Sequence, residues 1–136
     1  MRFETNKDLD RELNCIELFC NTFKLTYSKL TDNDIDFSLY KDEKLIAYAE
    51  VKGRNRNVLE AYPLPIACRK LVKLQDKKIN PIIIWDCYDG IIYGRIEQIE
   101  GKIKVGGRKP RDQSTNDIEL MAYFEKQLAL KELFKQ

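Results

Sequence analysis

Leu9, Leu13, Ile16, Cys20 and Phe23 recur at steps of four and three, which draws one apolar stripe on a helix from about Asn6 to Thr22. The period then shortens to two. "KLTYSKL" (Lys24–Leu30) alternates and predicts a short strand. Ile35, Phe37 and Leu39 fall on one side of the next segment, with Asp36, Ser38 and Tyr40 on the other. "KDEK" (Lys41–Lys44) is a polar turn, and the run from Leu45 to Val51 is rich in strand formers. Residues 34–40 and 45–52 therefore read as a hairpin.

"YPLP" (Tyr62–Pro65) punctuates the chain, and Pro65 suits the first turn of a helix. Ala67, Leu71 and Leu74 give that helix a buried stripe to about Lys78, where "INP" breaks it. "IIIWDC" (Ile82–Cys87) has the continuous apolar character of a strand covered on both faces, with Trp85 in the core. "YDG" (Tyr88–Gly90) turns the chain into a partner strand, Ile91–Ile99. Residues 101–117 read as a long, mobile, basic loop. Its Gly106-Gly107 pair lacks the strand–helix context of a phosphate cradle. The tail reads two ways. "DIELMAYF" suits a strand, whereas Asn116-x-x-Glu119 offers a helix capping box and "EKQLALKELF" favours helix. The order of elements predicts an α/β architecture, a mixed sheet with helices against it, in one domain spanning 1–136.

Composition narrows the function. Of 136 residues, 43% are apolar and 34% charged, the balance of a soluble globular protein. No apolar run is long enough to span a bilayer, and the opening residues lack the apolar stretch of a secretory signal, so a cytoplasmic protein without membrane partners is expected. The net charge of +2 hides three basic clusters. Lys52, Arg54 and Arg56 form one; Arg69, Lys70, Lys73, Lys77 and Lys78 a second; Lys102, Lys104, Arg108, Lys109 and Arg111 a third. Together they can make a phosphate-binding face; singly, each reads as solvated surface. The chain has no histidine and no C-x-x-C pair. Zinc sites and Ser-His-Asp or Cys-His catalysis are thereby disfavoured, and Cys15, Cys20, Cys68 and Cys87 read as buried thiols. An enzyme built from this chain must work with carboxylates, lysine and a hard metal ion.

The hairpin holds the candidate chemistry. Glu50 and Lys52 are two apart on a strand and so share a face. Asp36 begins the neighbouring strand. If register brings these faces together, two carboxylates and a lysine converge. Such an oxygen donor set suits Mg²⁺ or Mn²⁺, which keeps several waters and takes further oxygens from a backbone carbonyl and a substrate phosphate. An acid-x-Lys triplet alone means little, since Asp42–Lys44, Asp76–Lys78 and Glu100–Lys102 carry it too, at turns or element ends. Only Glu50–Lys52 lies inside an apolar strand with an aspartate on the strand before it. The plainer alternative is a cross-strand ion pair on an exposed face, worth a few tenths to ~1 kcal/mol.

In this context "DFSLYKDEKLIAYAEVKGR" (Asp36–Arg54) resembles the core signature of the PD-(D/E)XK nuclease superfamily: an aspartate, an apolar strand, a turn, a second strand, then Glu-x-Lys. The likeness is to archaeal-type Holliday junction resolvases and to phage-encoded and VRR-type nucleases. "YPLPIACRKLVKLQ", "PIIIWDCYDG" and "GGRKPRDQSTNDIE" extend it to the phage-type members, over roughly Glu12 to Phe124. The resemblance implies a restriction-endonuclease-like fold, with a central mixed β-sheet flanked by α-helices, and a Mg²⁺- or Mn²⁺-dependent endonuclease acting on DNA. It implies Asp36 and Glu50 as metal ligands, Lys52 as the catalytic lysine and the Val51 carbonyl as a further ligand. Asp34 shares the parity of Asp36 and competes for its role; Asp36 is preferred because the apolar alternation starts right after it. The first helix of the family often adds an acid, for which Glu12 is the candidate. Its middle helix often adds a polar residue, and Lys70, Lys73 and Gln75 qualify equally. Arg54, Arg56, Lys70, Lys73, Arg108, Lys109 and Arg111 are candidate contacts to the nucleic acid. For the tail, the family pattern implies a strand. A junction resolvase would need two active sites and hence a homodimer. The competing reading is a catalytically silent nucleic-acid-binding or protein-interaction module on the same fold.

Overall fold

The computed structural model describes residues 6–30, 36–76, 79–106 and 118–136. Helix α1 (Asn6–Phe23) ends as Lys24 turns left-handed at φ 57° and the Leu25 amide donates to the Cys20 carbonyl at 2.8 Å. This closure satisfies a carbonyl that the helix end would otherwise orphan. The buried stripe of α1 is Cys15, Ile16, Phe19 and Cys20. Leu13 and Phe23, expected in that stripe, lie at its margins and are partly exposed. Phe23 still packs its ring against Phe19 and Tyr93.

The hairpin forms as the alternation predicts. Strands β1 (Thr26–Lys29), β2 (Phe37–Lys41) and β3 (Lys44–Gly53) run antiparallel in that order. Asp42 and Glu43 both have positive φ, the geometry of a two-residue turn whose twist matches that of the flanking strands. A register shift between Leu39 and Tyr40 bends the hairpin beyond the turn. Strand β3 then pairs in parallel with β5 (Pro81–Asp86), and β5 continues into β6 (Gly90–Arg95) and β9 (Lys131–Phe134), both antiparallel. The six-stranded sheet is ordered β1-β2-β3-β5-β6-β9. A second, three-stranded sheet is ordered β4-β8-β7, from β4 (Leu64–Ala67), β7 (Lys102–Gly106) and β8 (Glu119–Phe124).

Two cores result. Phe37, Leu39, Ala47, Ala49, Val51 and Ile84 pack under α1. On the other face Ile83, Trp85 and Ile92 pack against the second sheet and helix α2 (Cys68–Gln75). Trp85 is fully buried, as expected, and its indole N–H donates to the Pro65 carbonyl at 2.8 Å, tying the central strand to β4. The architecture is α/β with a mixed sheet and two helices, consistent with a restriction-endonuclease-like fold.

Two expectations are corrected, and the open reading of the tail is decided. Pro65 does not open a helix: Leu64 and Ile66 point into the core from a strand, and α2 starts only at Cys68. The first part of the basic loop expected over 101–117 is strand, because Lys102–Gly106 pairs with β8 as β7; residues 107–117 lie outside the described part. Of the two readings of the tail, the strand holds within the described residues 118–136. Ala122 and Phe124 alternate into the core from β8, and the Lys131–Phe134 backbone pairs with β6. Sheet pairing and burial override the helix propensity of alanine, leucine, lysine and glutamate there.

A buried acid fastens the two ends of the described chain together. Asp86, at the end of β5, is 3% exposed. The Arg11 Nε donates to its Oδ2 at 2.6 Å, and the Lys135 ammonium stands 3.1 Å from Oδ1 without hydrogen-bond geometry. Arg11 also donates to the Asp86 carbonyl at 2.6 Å, and Lys135 to the Cys87 carbonyl at 2.8 Å. A cluster of charges taken from water is tolerated when its hydrogen bonds and counter-charges are supplied in this way.

Candidate active site

The strand register decides where the acids meet. Phe37 lies opposite Ala49, so the next position outward sets Asp36 across from Glu50. The contact is reciprocal. The Asp36 amide donates to Glu50 Oε2 at 3.2 Å, and the Val51 amide donates to Asp36 Oδ2 at 2.8 Å. Each strand thus holds the carboxylate of the other. Asp34, the competitor for the aspartate role, lies outside the described residues. Glu50 is 6% exposed and Asp36 is partly buried.

The oxygens not taken by backbone amides face lysines. Lys70, on α2, places its ammonium 3.1 Å from Glu50 Oε1. Among the α2 candidates that sequence could not rank, Lys70 is paired with a site carboxylate and Gln75 is exposed. Lys29, on the edge strand β1, lies 3.7 Å from Asp36 Oδ1. It also donates to Glu12 Oε2 at 2.9 Å and sits 4.9 Å over the Phe37 ring. Glu12 therefore does come from α1 to the neighbourhood of Asp36, with Lys29 between them.

Sequence reasoning missed Lys29. The signal was present but faint: Lys29 shares strand parity with Tyr27, which packs against the α1 core, so a lysine there must turn inward or snorkel. Nothing local says which acid it meets.

Burial makes both carboxylates reluctant to ionise. Glu50 is pushed up to about 8, first by loss of water and then by the Asp36 charge, with Lys70 opposing. Asp36 is also raised, by burial above all, against the pull of the Val51 amide, Lys29 and Lys70. The Glu50–Lys70 distance alone would suggest a settled ion pair, but the desolvation of Glu50 outweighs one lysine. Lys70 thus only partly offsets the loss of water at Glu50.

The two carboxylates, held side by side across the hairpin, form an all-oxygen donor pair that fits a hard divalent cation keeping part of its water. Among the described residues no group of three or more acidic, histidine or cysteine side chains is assembled to hold a metal. The described acids that stand together here and could hold an ion are thus two, Asp36 and Glu50.

Lys52 follows Glu50 on the same face of β3, opposite Trp85 of β5, and is half-buried. Lys73 lies in the last turn of α2. Arg54 is differently engaged: its guanidinium donates to the Ala61 carbonyl at 2.9 Å and the Pro63 carbonyl at 3.4 Å. Arg56 is exposed just beyond, and its carbonyl accepts the Tyr88 amide. Arg108, Lys109 and Arg111 lie outside the described residues.

A protein-family model described as "Phage putative PDDEXK endonuclease" matches residues 1–131. No curated protein and no solved structure matches the chain.

Proposed function

We infer that this chain, which belongs to the phage PDDEXK endonuclease family, hydrolyses phosphodiester bonds in DNA with the help of Mg²⁺ or Mn²⁺. The observation that carries the reading is the reciprocal hold of Asp36 and Glu50 across the hairpin, which sets two carboxylates side by side, with Lys52 on the same face of β3 as Glu50.

In this reading Asp36, Glu50 and the Val51 carbonyl hold the cation, and Glu12 of α1 stands behind Lys29. When bound, the ion would acidify a water and offset the negative charge that develops on the phosphoryl group. Lys52 orients the attacking water or neutralises a phosphoryl oxygen. Lys70 keeps Glu50 aligned through its ion pair. The buried setting withholds bulk water from the carboxylates, which strengthens every charge–charge interaction among them. Arg56, Lys73, Arg108, Lys109 and Arg111 hold the flanking phosphates, while Arg54, bonded to two carbonyls, braces its own stretch of backbone. The setting is the cytoplasm of an infected cell.

Nicking of labelled duplex, flap and four-way junction, with Mg²⁺, Mn²⁺ or chelator, tests this. Glu50→Ala and Lys52→Ala should abolish metal-dependent nicking while circular dichroism stays unchanged. Full activity in both variants would sink the assignment. Salt-dependent DNA binding without cleavage in either metal would instead identify a silent binding module.

A further inference from the structure

Lys29 belongs to none of the candidate groups above, yet it stands where a cation matters most. Its ammonium donates to Glu12 Oε2 at 2.9 Å, lies 3.7 Å from Asp36 Oδ1 and is held over the Phe37 ring. The three contacts differ in kind. The Glu12 contact is a charge-assisted hydrogen bond. The Asp36 contact is longer than a hydrogen bond and purely electrostatic. The other Asp36 oxygen already accepts the Val51 amide, so Oδ1 is the more open of the two to an incoming ion.

We propose that Lys29 is a resident counter-cation of the site, a positioning residue that steadies Asp36 and Glu12 and competes with the divalent cation for them. This rests on the metal-binding reading of Asp36 and Glu50. Three consequences follow from the geometry. The positive charge of Lys29 keeps two acids from repelling one another when no metal is present. It opposes the approach of a divalent ion to Asp36 Oδ1. It also keeps Glu12 engaged, so Glu12 can approach a bound ion only as Lys29 moves off. Lys29 thereby sets how tightly the site holds metal rather than whether it can. The edge position of β1 leaves room for the exchange, since the Lys29 side chain is 34% exposed and its long stem can swing toward solvent.

Titration calorimetry with Mn²⁺ alone, on the full chain as wild type, Lys29→Met and Lys29→Arg, tests the proposal without relying on activity. Loss of a unit charge this close to the ion should tighten Mn²⁺ binding about tenfold in Lys29→Met. Lys29→Arg keeps the charge and should stay near wild type. A residue with a merely structural role would leave affinity unchanged or weaken it. Should Lys29→Met not fold, Lys29→Gln, which still donates to Glu12, carries the same expectation. Equal or weaker Mn²⁺ binding in the neutral variants, with binding by the wild type intact, overturns the role of Lys29 alone. Absence of Mn²⁺ binding in every variant overturns the metal reading and this proposal together.

Discussion

The Asp36 amide donates to the Glu50 carboxylate, and the amide after Glu50 donates back to the Asp36 carboxylate. The two acids are thereby fixed by backbone groups of each other's strands, so their spacing depends on strand register and not on flexible side-chain packing. Substitutions can separate that geometric task from the charge.

Asp36→Asn keeps an oxygen for the Val51 amide and removes the charge; Asp36→Ala removes both. Nicking should fall by at least about a hundredfold in each. Chemical denaturation should show Asn near wild type and Ala less stable by about 1–2 kcal/mol. Equal stability of the two variants would show that the Val51 hydrogen bond contributes nothing.

Glu50 supplies a pH signature. Its carboxyl titrates higher in the folded protein, near 8, than in the unfolded chain, because burial disfavours the charge. Between about pH 4.5 and 8 the folded state therefore holds a proton that the unfolded state has lost, and stability declines as pH rises through that window. In chelator, the melting temperature of the wild type should drop from pH 5 to pH 8.5, and Glu50→Gln should flatten the slope. Mn²⁺ should restore the wild type most at the alkaline end. A parallel slope in Glu50→Gln would assign the effect to other groups.

Arg54 and Arg56 stand two residues apart with different duties. Arg54→Ala leaves the carbonyls of Ala61 and Pro63 without their donor and should cost about 1–2 kcal/mol in urea denaturation. Arg56→Ala should leave stability unchanged and lower the slope of log Kd against log salt for DNA by about one. The reverse pattern would exchange their roles.

Asp86→Ala strips the buried counter-charge from Arg11 and Lys135. The expected loss is about 3 kcal/mol, read as a shift in the denaturation midpoint. A change below 1 kcal/mol would mean that both cations reach water freely once the acid is gone.

Alternation is a local property, and it made the hairpin legible: Phe37 and Leu39 on one side, Asp36 and Ser38 on the other, with Glu50 and Lys52 sharing a parity. The Asp36-to-Lys52 signature belongs to that same local layer. Burial on both faces likewise marked Ile82–Cys87 as central strand with Trp85 inside, which the structure bears out. Propensity misled where long-range pairing decides. Pro65 is a good first residue for a helix, but Leu64 and Ile66 have a core to fill and the Pro65 carbonyl has the Trp85 indole to receive. The tail favours helix residue by residue and becomes β8 and β9 because β4 and β6 present open backbone edges to it.

The sequence alone thus determined which residue types stand on which face of each strand, since side-chain parity follows from the backbone repeat. Only the tertiary structure decided which elements abut. It brought Glu12 from α1, Lys29 from β1 and Lys70 from α2 to the carboxylates of one hairpin. Contacts between residues remote in the chain depend on how helices and sheets pack, and no short-range pattern encodes that packing.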